Sequence, residues 1–184
     1  MKCLIFTSSP NKDGLTAECA RAAATGLEAA NARVETICLN DHEIGLCAAC
    51  ERGWGTCWED HECRVRDDFQ PIHGRTKEAD AYVVVSPVYF GEMSESAKAF
   101  FDRLRRCEAT RGDDSRLAGK PVIGVAAAGG SGGGIVSCLE QMNRLFSHFR
   151  CSVFDLVPVT QKSRGHKADT IREAARRMVE AKSE

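Results

Sequence analysis

Four short apolar runs, each followed by a stretch with helical periodicity, restrict the fold of this chain more than any other feature. Residues 3–6, 82–85, 122–126 and 153–157 lack the alternation of a half-solvated strand and read as strands buried on both faces of a parallel sheet. Residues 34–39 alternate and suit an edge strand. Between the runs, Leu15, Cys19, Ala22, Gly26 and Ala30 share one helical face. So do Met93, Ala97, Phe100 and Leu104, and likewise Ile135, Leu139, Met142, Phe146 and Phe149. The order β-α-β-loop-α-β-α-β-α-β-α, with right-handed crossovers, predicts an α/β doubly wound sheet of five parallel strands with helices on both faces. The 184 residues suit one domain with a full core, so residues 1–184 are expected to form a single domain.

Sheets of this kind bind ligands beyond the carboxyl ends of their strands, and three loops fall there. The first is Ser8-Ser9-Pro10-Asn11-Lys12-Asp13-Gly14-Leu15-Thr16. Ser9, Asn11 and Thr16 can donate to phosphate oxygens, Gly14 permits an irregular backbone, and Lys12 adds a charge beside a helix N-terminus. Neither G-x-G-x-x-G after the first strand nor G-x-x-x-x-G-K-[ST] occurs, so the expected ligand is a monophosphate. In the second loop, Pro87, Val88, Tyr89, Phe90 and Gly91 offer an apolar, aromatic turn to a flat ring system. The third, Gly129-Gly130-Ser131-Gly132-Gly133-Gly134, joins a buried strand to an amphipathic helix and holds free N–H groups at the same edge.

SSPNKDGLT, SPVYFGEMSESAKAFFDRL and AAAGGSGGG, in this order, resemble the NADPH-dependent FMN reductases and the related iron–sulfur flavoproteins of the flavodoxin-like superfamily. The resemblance covers nearly the whole chain, and SPVYFG followed by a helix ending in FFDRL is its most specific part. It implies that Ser9, Asn11 and Thr16 hold the phosphate of FMN. By the same likeness Pro87, Val88, Tyr89, Phe90 and Gly91 line the isoalloxazine, and Gly129 and Gly130 approach it from the other side. Asn11 stands where relatives often carry arginine, a loss for which Lys12 is expected to compensate.

Residues 40–66, after the second strand, have no periodicity and exceed the usual length of a plain loop. They contain Cys47, Cys50, Cys57 and Cys63, spaced C-x2-C-x6-C-x5-C. A C-x-x-C turn lets two thiolates converge, and two further cysteines complete a four-thiolate set. Three occupants are open: a [4Fe–4S] cluster, zinc with or without His61, or no metal at all. Iron–sulfur flavoproteins carry a compact C-x2-C-x2-C at this place, whereas here the third cysteine comes later. Trp54 and Trp58 are expected to form the loop's small apolar core. Asp67 and Asp68 look like an N-cap ahead of a helix with Pro71 in its first turn. Cys3, Cys19, Cys38 and Cys138 read as small buried hydrophobes, and Arg103, Arg105 and Arg106 as a solvated helix terminus.

Lys and Arg number 25 against 26 Asp and Glu, so no overall field favours nucleic acid or an anionic membrane. No apolar run approaches spanning length, and a cytoplasmic protein is expected. The resemblance implies an FMN-dependent oxidoreductase that takes hydride from NAD(P)H and passes electrons to a small acceptor such as a quinone or free flavin. Its alternatives are an iron–sulfur electron carrier and a flavin redox sensor. A homodimer or homotetramer is expected, because a loop with two tryptophans beside a flavin edge needs apolar cover.

Overall fold

The computed structural model describes residues 1–182. The chain runs β1 (Lys2–Thr7), α1 (Leu15–Ala29), β2 (Arg33–Cys38), α2 (Thr56–Glu59), α3 (Phe69–Glu78), β3 (Ala81–Tyr89), β4 (Glu92–Met93), α4 (Glu95–Glu108), β5 (Pro121–Ala128), α5 (Ile135–His148), β6 (Ser152–Thr160) and α6 (Arg164–Glu180). The long strands pair in parallel in the order β2-β1-β3-β5-β6, the doubly wound flavodoxin-like order.

Side chains alternate across the three central strands and feed two cores. Leu4, Phe6, Tyr82 and Val84 face the aromatic cluster of Phe69, Phe100, Phe101 and Phe146. Cys3, Ile5, Val83 and Val85 pack on the opposite layer, with Leu27, Ile171 and Met178. Cys3, Cys19 and Cys138 are buried as expected, whereas Cys38 is only half-buried. Burial pushes the thiols of Cys3 and Cys19 up, to about 11 and about 12, so they stay neutral and inert.

Three expectations are corrected. Residues 153–157 do not form a doubly buried strand: β6 is the sheet edge, and Val153 and Phe154 remain 37% and 39% exposed. The second loop does not begin at Pro87: β3 runs on to Tyr89, and the aromatic turn is the tip of a tight hairpin in which Val88 pairs with Met93 and Tyr89 with Glu92. Its turn residues Phe90 and Gly91 have φ of 51° and 84°, both positive as the hairpin turn requires. The last turn of α4 is not simply solvated, because the Arg103 side chain is wholly buried. No helix among the described residues is long and apolar enough to cross a membrane.

Candidate functional site

The carboxyl edge of the sheet carries the three loops, and helix α1 begins at the first of them. Gly14 is its N-cap and supplies no side-chain bond, which leaves the first-turn amides open to an anion. The loop braces itself: Asn11 N–H donates to Ser9 Oγ at 3.2 Å, and Asp13 N–H to Asn11 Oδ1 at 3.0 Å. A Cβ at Gly14 would fall 2.9 Å from Asn11 Nδ2, so a side chain there would displace the Asn11 amide. Thr16 lies in the first turn and, with Ser9, Asn11 and Lys12, lines a groove of about 230 Å³.

Lys12 is not free to act as an isolated charge. Its Nζ sits 2.9 Å from Asp41 Oδ1, and that bond raises the lysine and holds the aspartate below the usual carboxylate range. Ser96 Oγ donates to the Ser8 carbonyl at 3.4 Å and to Asn40 Oδ1 at 3.2 Å, tying the start of α4 to the first loop.

The second and third loops line an open cavity of about 460 Å³, within the range of cofactor pockets. Val88, Phe90 and Gly91 form one wall, and Gly129 and Gly130 lie on the other with the rest of the glycine run. Pro87 is buried in β3 beside Ala127, and Tyr89 stands partly exposed outside the lining. Phe90 is fully exposed at the hairpin tip. Two α5 residues that sequence reasoning missed hold the walls together. The Ser137 hydroxyl is shared between the carbonyls of Gly91 (3.0 Å) and Gly134 (2.9 Å), and Gln141 Oε1 accepts from Met93 N–H at 2.8 Å. Their signal was a pair of polar residues, four apart, one turn into a helix that starts at the ligand edge.

The cysteine segment is organised by two short 3-10 turns, by α2 and by Asp67. Cys47, Cys50, Cys57 and Cys63 line a single cavity together with Arg103 and Arg106. Among the described residues, no three His, Cys, Asp or Glu side chains converge closely enough to hold one metal ion. His61 turns away, its Nδ1 lying 2.9 Å from Thr110 Oγ1, and so does not join the thiols. Trp54 and Trp58 meet edge to face with centroids 5.2 Å apart, yet stay 39% and 58% exposed; they cap the loop rather than form its core.

Arg103 is the strut of this segment. Nη1 donates to Asp67 Oδ2 (2.6 Å) and to the Gly45 carbonyl (3.0 Å), Nη2 to the Val65 carbonyl (2.8 Å), and Nε to Cys63 Sγ (3.4 Å). The guanidinium lies 4.3 Å above the Phe69 ring. Burial works against both charges, but their mutual bond outweighs it: Arg103 is raised, and Asp67 is held below the usual range with help from the amides of Gly45 and Phe69. Asp68 occupies the N-cap position of α3 without a side-chain bond, and Asp67 just before it accepts from Phe69 N–H at 3.0 Å, so of the expected pair it is Asp67 whose side chain satisfies a first-turn amide. Arg106 stacks on Trp54 at 4.6 Å and donates to the Gly53 carbonyl. Arg103 was legible in principle, because it falls three after Phe100 and four before Cys107 on the buried face of α4.

Deeper still, His73 Nε2 and Glu108 Oε1 form a wholly buried pair at 2.8 Å. Burial would raise Glu108, but the bonds from His73 and from Arg116 N–H bring it below the usual range.

A parallel doubly wound sheet with an uncapped helix N-terminus and a glycine-walled cavity at one edge defines a mononucleotide-binding α/β protein. The profile of the NADPH-dependent FMN reductase family matches residues 1–164, and the chain belongs to that family. An iron–sulfur flavoprotein of Methanocaldococcus jannaschii is 31% identical over 146 residues, 79% of this chain and 72% of that protein. One from Archaeoglobus fulgidus is 33% identical over 104 residues, 56% of this chain but only 46% of that protein. Among solved structures, the NAD(P)H:quinone oxidoreductase from Methanothermobacter marburgensis has the same fold, with a TM-score of 0.69 at 18% identity over 97% of this chain and 96% of that one.

Proposed function

We propose that this chain is an FMN-dependent oxidoreductase that draws hydride from NAD(P)H and passes electrons to a small acceptor such as a quinone or free flavin. The observation that carries the reading is the meeting of the uncapped α1 terminus and the 460 Å³ glycine-walled cavity at one sheet edge. Ser9, Asn11, Thr16 and the first-turn amides of α1 would hold the phosphate, with Gly14 shaping the loop. Val88, Phe90 and Gly91 would face one side of the ring and Gly129 and Gly130 the other, with Pro87 and Tyr89 backing the hairpin. Bound FMN supplies a centre that accepts hydride and releases electrons singly or in pairs. The residues themselves would position the ring and offer glycine N–H groups to negative charge on it.

The same reading places a [4Fe–4S] cluster in the cysteine cavity. Four thiols without a carboxylate form a soft donor set and line one cavity, whose free volume of about 20 Å³ requires the segment to open in order to admit a cluster. Three arginines on the cavity wall, Arg64, Arg103 and Arg106, suit its negative charge, although Arg64 is paired with Glu51. Ten free cysteines suit a reducing cytoplasm, and the exposed Phe90 and Val136 beside the ring cavity suit a homodimer or homotetramer. Residues 1–184 then act as one unit. The test is turnover: protein reconstituted with FMN should oxidise NADH or NADPH continuously with a quinone present. Reduction that stops after one equivalent, and resumes only with a protein acceptor, would replace the enzyme by an electron carrier.

A further inference from the structure

We propose that Arg103 is the positioning residue of the cysteine cavity: its Nε–H bond to Cys63 Sγ fixes that ligand and raises the reduction potential of the cluster. The inference rests on the cluster reading given above. A neutral thiol is a weak acceptor, whereas a sulfur carrying negative charge takes a hydrogen bond well. Burying a guanidinium whole, with one of its donors spent on sulfur, suits a site built around anionic thiolates.

The aim of that donor is not adjustable. Asp67, Gly45 and Val65 take three of the four terminal N–H donors and Phe69 covers the face, which holds the fork towards Cys63. Arg106 gives a contrast within the same cavity. It adds a further cation, but its bond goes to the Gly53 carbonyl and its face to Trp54, and among the described residues it does not bond a sulfur. Arg103 therefore contributes charge and a direct sulfur hydrogen bond, and Arg106 charge alone.

A cluster held by these cysteines would take up one electron, for which reduced FMN would be the donor, with no bond made or broken. The ligand sulfurs become more negative, so a hydrogen bond donated to one of them favours the reduced form. Losing that bond should lower the potential even where the positive charge is kept.

The experiment uses the full chain, reconstituted anaerobically with iron, sulfide and FMN. Iron and sulfide are assayed, and a dye-mediated redox titration is followed by EPR. Arg103→Lys keeps the charge and loses the fork. It should retain full iron while the oxidised-to-reduced ratio at a fixed potential rises about tenfold, equivalent to about 59 mV for a one-electron couple. Should that variant not fold, Arg103→Met with Asp67→Asn removes both buried charges together and should shift the ratio at least as far. Arg106→Gln should shift it less. An unchanged potential in a fully loaded Arg103 variant, or a shift in Arg106→Gln as large as that in Arg103→Lys, overturns the inference and leaves the cluster standing. A wild-type chain that takes up no iron and sulfide overturns the cluster and the inference together.

Discussion

The backbones of Gly91 and Gly134 touch: a Cβ added at Gly134 would fall 2.5 Å from the Cα of Gly91. Both residues have positive φ, 84° and 75°, so neither the contact nor the conformation admits a side chain cheaply. This contact sets the spacing of the two walls of the ring cavity, and Ser137 locks it by sharing its hydroxyl between the two carbonyls.

Gly134→Ala should therefore lose both stability and FMN, with strain of about 1–3 kcal/mol and a lower Tm. Gly130→Ala separates the two effects, because its Cβ would meet nothing within 4 Å and Gly130 does not have positive φ. That variant should keep the wild-type Tm and lose FMN affinity. Calorimetry and flavin-fluorescence titration of both variants check the pair; equal FMN affinity in Gly130→Ala would move the ring away from that wall.

Thr16→Ala should weaken FMN much more than riboflavin. The hydroxyl is assigned to the phosphate, and a charge-assisted hydrogen bond is worth about 1.5–3 kcal/mol, or roughly 10- to 150-fold in Kd. Cys19, one turn further on and buried, serves as the control, since Cys19→Ala should lower Tm and leave the FMN-to-riboflavin ratio unchanged. The ratio of the two dissociation constants, measured side by side, decides.

Asp41→Asn should tighten FMN. Lys12 is held by Asp41 at 2.9 Å, so the only cation in the first loop is half neutralised by its neighbour. Removing the carboxylate frees the ammonium and deletes a repulsive charge near the phosphate, worth about two- to fivefold at low salt and less as salt rises. Riboflavin should not respond, and a salt-independent gain would point to a shape change instead.

The fold was legible because doubly buried strands and amphipathic helices leave different apolar periods, and nothing in the tertiary structure overrode them. Edge position was less legible: residues 153–157 are as apolar as a central strand, yet β6 closes the sheet and leaves Phe154 half-exposed. The three ligand loops could be placed because each directly follows a parallel strand. The hairpin at Phe90 could not, since two residues of strand pairing leave no periodic trace. Arg103 was misread for a different reason. Charge near a helix C-terminus is usually solvated, and only the distant acceptors Gly45, Val65 and Asp67, brought in by an aperiodic segment, make its burial affordable.

Acid should destabilise the protein through Asp67 and Glu108. Both are held below the usual carboxylate range, so between the folded and unfolded pKa values the unfolded chain binds more protons and stability rises with pH. Their contribution is complete above roughly pH 4.3, the value of an unfolded glutamate, and is lost as pH falls through the lower folded values. Urea midpoints should hold steady between about pH 5 and 7 and fall below about pH 4. Glu108→Gln should cost about 3–5 kcal/mol at pH 7, as breaking a buried pair does, and flatten the acid limb. An acid limb as steep as the wild type's in that variant would assign it to other carboxylates.

Cys47, Cys50, Cys57 and Cys63 should behave as one unit, because they line one cavity although their spacing along the chain is uneven. Four thiolates that order one segment around a shared occupant are not independent contributors. Single serine substitutions at each position should therefore lose most of the iron and sulfide, and all four should do so to a similar extent. Zinc without sulfide in the wild type would mean a structural site, and neither element would mean a loop held by Arg103 and packing alone. The discriminating position is Cys57, which follows Cys50 after six intervening residues and sits on α2 rather than on the preceding turn. If Cys57→Ser kept full iron while Cys47→Ser abolished it, the four-ligand arrangement would fail at that spacing.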